Sequence, residues 1–164
     1  AFAIEGVMPG RYVIQAGGAE RSPKSSWMLK AAVLGGRDVL DEPIDLSDEI
    51  RDVRLTVTDR ISELSGRVTD AADKPSRDDL VAVFSADKRH WWRGSRRIRL
   101  VRPDAKGVYK VRPLPPGAYI ITLLADAIPE TELLSKLPGL ASTGTRVTIA
   151  EGEQKVQDLR SARK

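Results

Sequence analysis

A segment that occurs twice, at a constant offset, sets the tightest limit on what this chain can fold into. Residues 107 to 124 read Gly-Val-Tyr-Lys-Val-Arg-Pro-Leu-Pro-Pro-Gly-Ala-Tyr-Ile-Ile-Thr-Leu-Leu. Tyr109 and Val111, then Tyr119 and Ile121, alternate with other residues at period two, as strand faces do. Between them stands Pro115-Pro116-Gly117. Proline presets φ at about −65° in the second position of a turn, and glycine accepts φ > 0 in the third. A hairpin closed by a type II turn is therefore expected here. The start of the chain repeats the pattern: Phe2, Pro9, Gly10 and Tyr12 answer Tyr109, Pro116, Gly117 and Tyr119. A matching first hairpin is expected over residues 1 to 14.

The 164 residues suffice for one or two domains with a real core. The chain has no cysteine, which excludes a disulfide framework, a thiolate metal site and a cysteine nucleophile. No apolar run approaches the roughly 20 residues of a membrane helix, and no signal peptide is recognisable. The chain opens on Ala1 inside a strand-like pattern, so a processed protein or an excerpt of a longer one is expected. Seven of the 27 basic residues fall between Lys88 and Arg102, a stretch without acids; the rest holds 20 basic against 23 acidic residues. One basic patch on a slightly acidic protein is unlike the broad basicity of a nucleic-acid binder.

Along the chain, Ala16 to Ser26 is polar and reads as loop. Trp27 to Val33 is a strand or a short helix, Gly35-Gly36 a turn, and Asp41 to Glu49 a loop. Val53 to Thr58 alternates as a strand. The pattern then restarts. Strands are expected at Ile61–Asp70, Leu80–Ser85 and Arg97–Arg102, with Ile98 and Leu100 on one face of the last and Arg97 and Arg99 on the other. Asp126 to Gly139 is the helix candidate: Pro129 suits the first helical position, Leu133, Leu134 and Leu137 line one face, and Pro138-Gly139 ends it. Thr145–Ile149 and Lys155–Leu159 are the last strands, and the tail from Arg160 to Lys164 frays. Many short strands with Gly/Pro turns argue an all-β sandwich in tandem modules with one short helix. The expected division is a complete unit over 61–164 and a partial unit, the back half of the same fold, over 1–60.

Leu64-Ser65-Gly66-Arg67-Val68-Thr69-Asp70, Lys74-Pro75 and Val81-Ala82-Val83, followed by Gly107-Val108-Tyr109 and Leu114-Pro115-Pro116-Gly117-Ala118-Tyr119, resemble the carboxypeptidase regulatory-like domain. The resemblance covers most of 61–164 and, as a partial copy, 1–15 and 50–58. It implies a transthyretin-like or Ig-like antiparallel β-sandwich without catalytic residues, found in bacterial surface, periplasmic and other exported proteins. Where the family's first turn has glycine, this chain has Asp73, and Asp tolerates the left-handed region better than most residues.

Catalytic chemistry finds little support. A hydrolase needs a nucleophile, a base and an orienting group, and the single histidine, His90, sits in a loop among Arg and Trp. With no second His or Cys, no metal site is expected; Asp41-Glu42, Asp45 and Asp78-Asp79 read as solvated acids, since no calcium loop pattern is present. No cofactor is called for, as phosphate and dinucleotide fingerprints are missing.

The loop from Lys88 to Arg97 is the one stretch that asks for a partner, and Trp91, Trp92, Arg93, Arg96 and Arg97 are the candidate binding residues. Three readings compete. One tryptophan plugs the sandwich while the other, pointing the opposite way, is exposed. Alternatively the pair anchors a protein interface, or it stacks on a sugar ring or, less in keeping with the modest overall charge, on a base. The expected function is a non-enzymatic structural and interaction module of a bacterial cell-surface or exported protein. Its partners are neighbouring modules or further copies, assembling by strand addition because a half sandwich exposes edges. The alternative is a carbohydrate- or ligand-binding module using the Trp91/Trp92 loop.

Overall fold

The structure, a computed structural model, describes residues 2–15, 27–47, 49–125 and 128–162. The loop expected at Ala16–Ser26, the helix start expected at Asp126 and the last two residues of the tail lie outside the described residues. The chain divides into two compact units, 1–59 and 60–164.

The first unit contains β1 (Gly10–Tyr12), β2 (Met28–Leu34), β3 (Arg37–Asp38), β4 (Ile44–Leu46) and β5 (Arg54–Thr58). β2 lies between β3 and β5, and β1 pairs with β4, all antiparallel. Gly35 and Gly36, with φ of 56° and 81°, make the turn between β2 and β3, the double positive φ that two-residue hairpins favour. The Asp38 carboxylate accepts from the Ala32 and Leu40 N–H groups at 3.0 and 3.1 Å. This folds the chain over a core of Leu29, Ala32, Val39 and Leu40.

Two expectations fail in this unit. Residues 2 to 9 form no strand, so the first hairpin is not there, and β1 takes β4 as its partner instead. Phe2–Ile4 has no sheet partner among the described residues, and a segment without a partner gains no ladder bonds. The stretch Asp41–Glu49, read as loop, holds β4; three residues are too few to leave a periodic signal.

The second unit contains β6 (Glu63–Thr69), β7 (Leu80–Ser85), β8 (Ile98–Val101), β9 (Val108–Val111), β10 (Gly117–Leu124), α1 (Glu130–Thr143), β11 (Thr145–Ile149), β12 (Gln154–Val156) and β13 (Leu159–Arg160). It is a β-sandwich. One sheet has the order β11-β10-β7-β8, all antiparallel. In the other, β6 pairs antiparallel with β9 and parallel with β12 and β13. Leu64, Val68, Tyr109, Val111 and Leu114 meet Val81, Val83, Tyr119, Ile121, Val147 and Ile149 in the core.

A second apolar layer lies on the far side of β7 and β10. There Leu80, Ala82, Phe84, Ile98, Ile120 and Leu124 pack against Leu133 and Leu137 of α1. Both faces of β7 are thus covered, and all six of its residues are buried. Double burial is what an uninterrupted apolar run, rather than an alternating one, encodes.

The central hairpin is corrected. β9 pairs with β6 while β10 pairs with β7 and β11, so residues 107–124 arch from one sheet to the other. Pro113, Pro115 and Pro116 have no N–H to give to a ladder, and two strands joined through them cannot pair beside the bend. Gly117 is already the first residue of β10, opposite Ile149, with φ of 149° rather than the roughly +80° of a type II turn.

Two more corrections concern chain ends of elements. Pro138-Gly139 does not end the helix; α1 runs through Pro138 to Thr143, and the Gly144 N–H donates to the Leu140 carbonyl at 2.9 Å. Leu140 and Ala141, in that last turn, pack on the second apolar layer, and this packing outweighs the backbone bond that proline removes. The final strand is two short ones, broken at Gln157-Asp158. Asp73 does adopt the left-handed conformation in the first turn, with φ of 60°.

Candidate interaction site

The Trp/Arg loop is built on the end of β7. The Asp87 carboxylate accepts from the Arg89 N–H at 3.0 Å and caps a single 3-10 turn, Lys88–His90. The Arg89 guanidinium closes back on the same carboxylate at 2.6 Å. These bonds, the side-chain one foremost, hold the Asp87 carboxyl at about 2, below the usual carboxylate range. His90 Nδ1 lies 2.9 Å from Ser85 Oγ, which also accepts the Asp87 N–H at 3.1 Å. Ser85 is buried, and its hydroxyl fastens the loop to β7.

Trp91 turns inward. Its indole N–H donates to the Ser85 carbonyl at 2.7 Å, and its ring meets Phe84 edge-on at 5.8 Å and 73°. The Lys88 ammonium stands 5.9 Å from the same ring. Trp91 thus closes the second apolar layer beyond the helix. Arg97 reaches across to the arch, donating to the Pro116 carbonyl at 2.9 Å and to the Tyr119 hydroxyl at 3.2 Å. Trp92 and Arg96 are half-buried and Arg93 is exposed. All five candidate residues lie on one loop, and Trp91 and Arg97 bond to Ser85, Pro116 and Tyr119 of their own unit.

A second surface lies on the first unit. Its Tyr12 hydroxyl donates to the Met8 carbonyl at 2.8 Å, as Tyr119 does to Pro115 at 2.7 Å. β1 pairs Gly10 with Leu46 and Tyr12 with Ile44, as β10 pairs Gly117 with Ile149 and Tyr119 with Val147. Yet burial differs sharply. Phe2 and Ile4 are 59% and 76% exposed, while Tyr109 and Val111, at the matching positions, are each 1% exposed. Val7 and Tyr12 are likewise open where Leu114 and Tyr119 are closed. In the second unit, those residues are covered by Leu64 and Val68 of β6 and Val81 and Val83 of β7.

A third arrangement was not anticipated from the sequence. The closing strands β12 and β13 lie so near β6 that a Cβ on Gly66 would stand 2.0 Å from the Gln157 carbonyl oxygen. Where the closing strand breaks, the Asp158 carboxylate accepts the Arg67 N–H at 2.8 Å in place of a backbone carbonyl. The Tyr109 hydroxyl donates to the Gln157 carbonyl, and burial pushes that phenol well above the usual tyrosine range. The available signal was Gly66 itself, since glycine inside a strand marks a close backbone approach. Beside this seam a groove of about 450 Å³ is lined by Asp79, Thr122, Thr143, Asp158, Arg160 and Ser161 among others. Asp79, buried within it, accepts a hydrogen bond from Ser161.

No protein-family model matches the chain, and no curated protein does. Among solved structures it is similar to the major pilin subunit of Bacillus cereus, at 13% identity and a TM-score of 0.44 over 74% of this chain and 36% of the pilin. It is similar to the group B streptococcus pilus 2b backbone protein, at 9% identity and 0.39 over 74% of this chain and 47% of that one. It is also similar to the dioxygenase domain of a dioxygenase–carbohydrate-binding protein fusion from Streptomyces sp. SirexAA-E, at 14% identity and 0.40, covering 63% and 80%. The chain spans less than half the length of either pilus protein.

Proposed function

We propose that this chain is a non-catalytic structural and interaction module of a bacterial cell-surface or exported protein, of the carboxypeptidase regulatory-like kind, and that its first unit is completed by strands from outside residues 1–60. The observation that carries this reading is the contrast between Phe2, Ile4, Val7 and Tyr12, which are open, and their counterparts, which are closed. Full burial of an exposed apolar side chain contributes roughly 1.5–3 kcal/mol; Phe2 and Ile4 have more than half of that to gain and Val7 and Tyr12 less than half, so an outside strand pair would be held. The fitting occupant has the β6–β7 pattern: small and aliphatic residues on the face it turns inward. The strands come either from a longer polypeptide or from another chain, which would link protomers by strand addition.

Light scattering of the full chain across a concentration range, beside residues 60–164 alone, tests the reading. Association of the long form alone means strands are borrowed between chains. A monomeric long form should instead gain amide protection at residues 2–12 when a second copy of residues 61–86 is grafted ahead of Ala1. The absence of both association and protection would overturn the proposal.

A second reading, a carbohydrate- or ligand-binding module, uses the loop. Arg93, exposed on the loop, with the half-buried Trp92 and Arg96 beside it, would meet the ligand. Loss of glycan binding in Trp92→Ala at unchanged melting temperature supports it, and no binding to any glycan by the parent chain removes it.

A further inference from the structure

The second unit begins and ends on neighbouring strands that run the same way. β6 leads, and β12 and β13 close, with Gln154 opposite Glu63 and Arg160 opposite Thr69. The chain therefore enters beside Glu63 and leaves beside Thr69, at opposite ends of a seven-residue strand. Tension applied through the flanking polypeptide would pull the two strands along their own length in opposite directions. Hydrogen bonds between parallel strands are evenly spaced and run slantwise between the two strands, so a pull along the strands loads them together rather than one after another.

The ladder is well supplied. The Glu63 N–H donates to the Glu153 carbonyl at 2.9 Å, the Gln157 N–H to Ser65 at 2.8 Å, and the Ser161 N–H to Thr69 at 2.7 Å. The Arg67–Asp158 bond bridges the break in the closing strand. Each end is also tied by side chains. At one end, Ser62 Oγ donates to the Ala150 carbonyl at 2.9 Å and accepts the Gly152 N–H at 3.0 Å. At the other, Arg160 donates to the Ala71 carbonyl at 2.7 Å, and Ser161 holds the buried Asp79.

We propose that β6 and β12–β13 form a mechanical clamp, and that the second unit bears tension along a string of modules. This goes beyond the structural role proposed above and rests on it only for the source of the tension. The clamp itself is a property of the unit, and it stands or falls on pulling alone.

The absence of cysteine allows two handles to be placed at will in the full chain. Asp59→Cys with Ala162→Cys loads the clamp lengthwise. Ala72→Cys with Ala162→Cys, both beside the Thr69 end, peels β13 from β6 one bond at a time. Forced unfolding reports the barrier along the pulled direction, and we expect the lengthwise force to exceed the peeling force about twofold or more. Asp158→Ala, which removes one rung, should lower the lengthwise force and leave the peeling force of the outer bonds nearly unchanged. Equal forces in the two directions would overturn the proposal, as would an Asp158→Ala effect identical in both.

Discussion

The Tyr119 hydroxyl donates to the Pro115 carbonyl four residues back, and the bond is buried. It pins the arch that carries the chain between the sheets. Tyr119→Phe leaves that carbonyl without the hydroxyl donor and also removes an acceptor of the Arg97 guanidinium; a buried acceptor left unpaired costs about 1–3 kcal/mol. The equivalent Tyr12–Met8 bond is exposed, so Tyr12→Phe should cost only a few tenths of that. Urea unfolding of the two variants measures the difference.

Gly66→Ala should be among the most damaging single-methyl changes in the chain. The added carbon would lie 2.0 Å from a backbone oxygen and 2.9 Å from the Tyr109 ring. One strand has to move off the other, at a cost of roughly 2 kcal/mol or more. Amide exchange should localise the loss to Gln157 and Ser161.

Trp91→Ala and Trp92→Ala should separate in stability. Trp91 leaves a hole against Phe84 and takes the indole donor from the Ser85 carbonyl; truncating a core aromatic costs about 3–5 kcal/mol, and the half-buried Trp91 should fall at the low end. Trp92→Ala should cost about 1 kcal/mol or less. Thermal melts of the two variants provide the comparison, and equal losses would contradict the inward placement of Trp91.

The acid and alkaline limbs of stability have different owners. Asp87 sits at about 2 when folded against 3.8 otherwise. Its stabilisation is present above pH 4 and is lost as pH falls through about 2; the pair is partly exposed, so the slope is shallow. Asp87→Asn should flatten it. Tyr109 is raised by burial and by the nearby Asp158 charge, so its contribution is present below pH of about 10 and is lost above that. Absorbance titration should find one of the three tyrosines ionising only as the chain unfolds.

Strands were legible in the sequence wherever burial leaves a local pattern. The run Leu80–Ser85 and the alternation of Ile98 and Leu100 against Arg97 and Arg99 both emerged as written, and Asp73 took the left-handed turn its side chain tolerates. What side-chain period cannot encode is the identity of the neighbour. Tyr109 and Tyr119 face one core from two different sheets, and a period of two looks the same in either arrangement. The parallel closing strands were hidden for the same reason. Pro138 misled because a local rule about helix ends was overruled by Leu140 and Ala141 packing on the second apolar layer. In the loop, adjacency predicted opposed tryptophans, but only the Phe84 ring and the Ser85 carbonyl decide which one goes in.

The strand that is covered on both faces has a consequence for biosynthesis. Leu80–Ser85 carries no charge and no proline, the composition of an aggregation-prone segment. On one face it is shielded by α1, which is completed only at Thr143. On a ribosome the segment therefore emerges some sixty residues before it can be fully covered, long enough to meet other nascent chains. Products truncated before the helix should collect as insoluble material, while those reaching the closing strands should not.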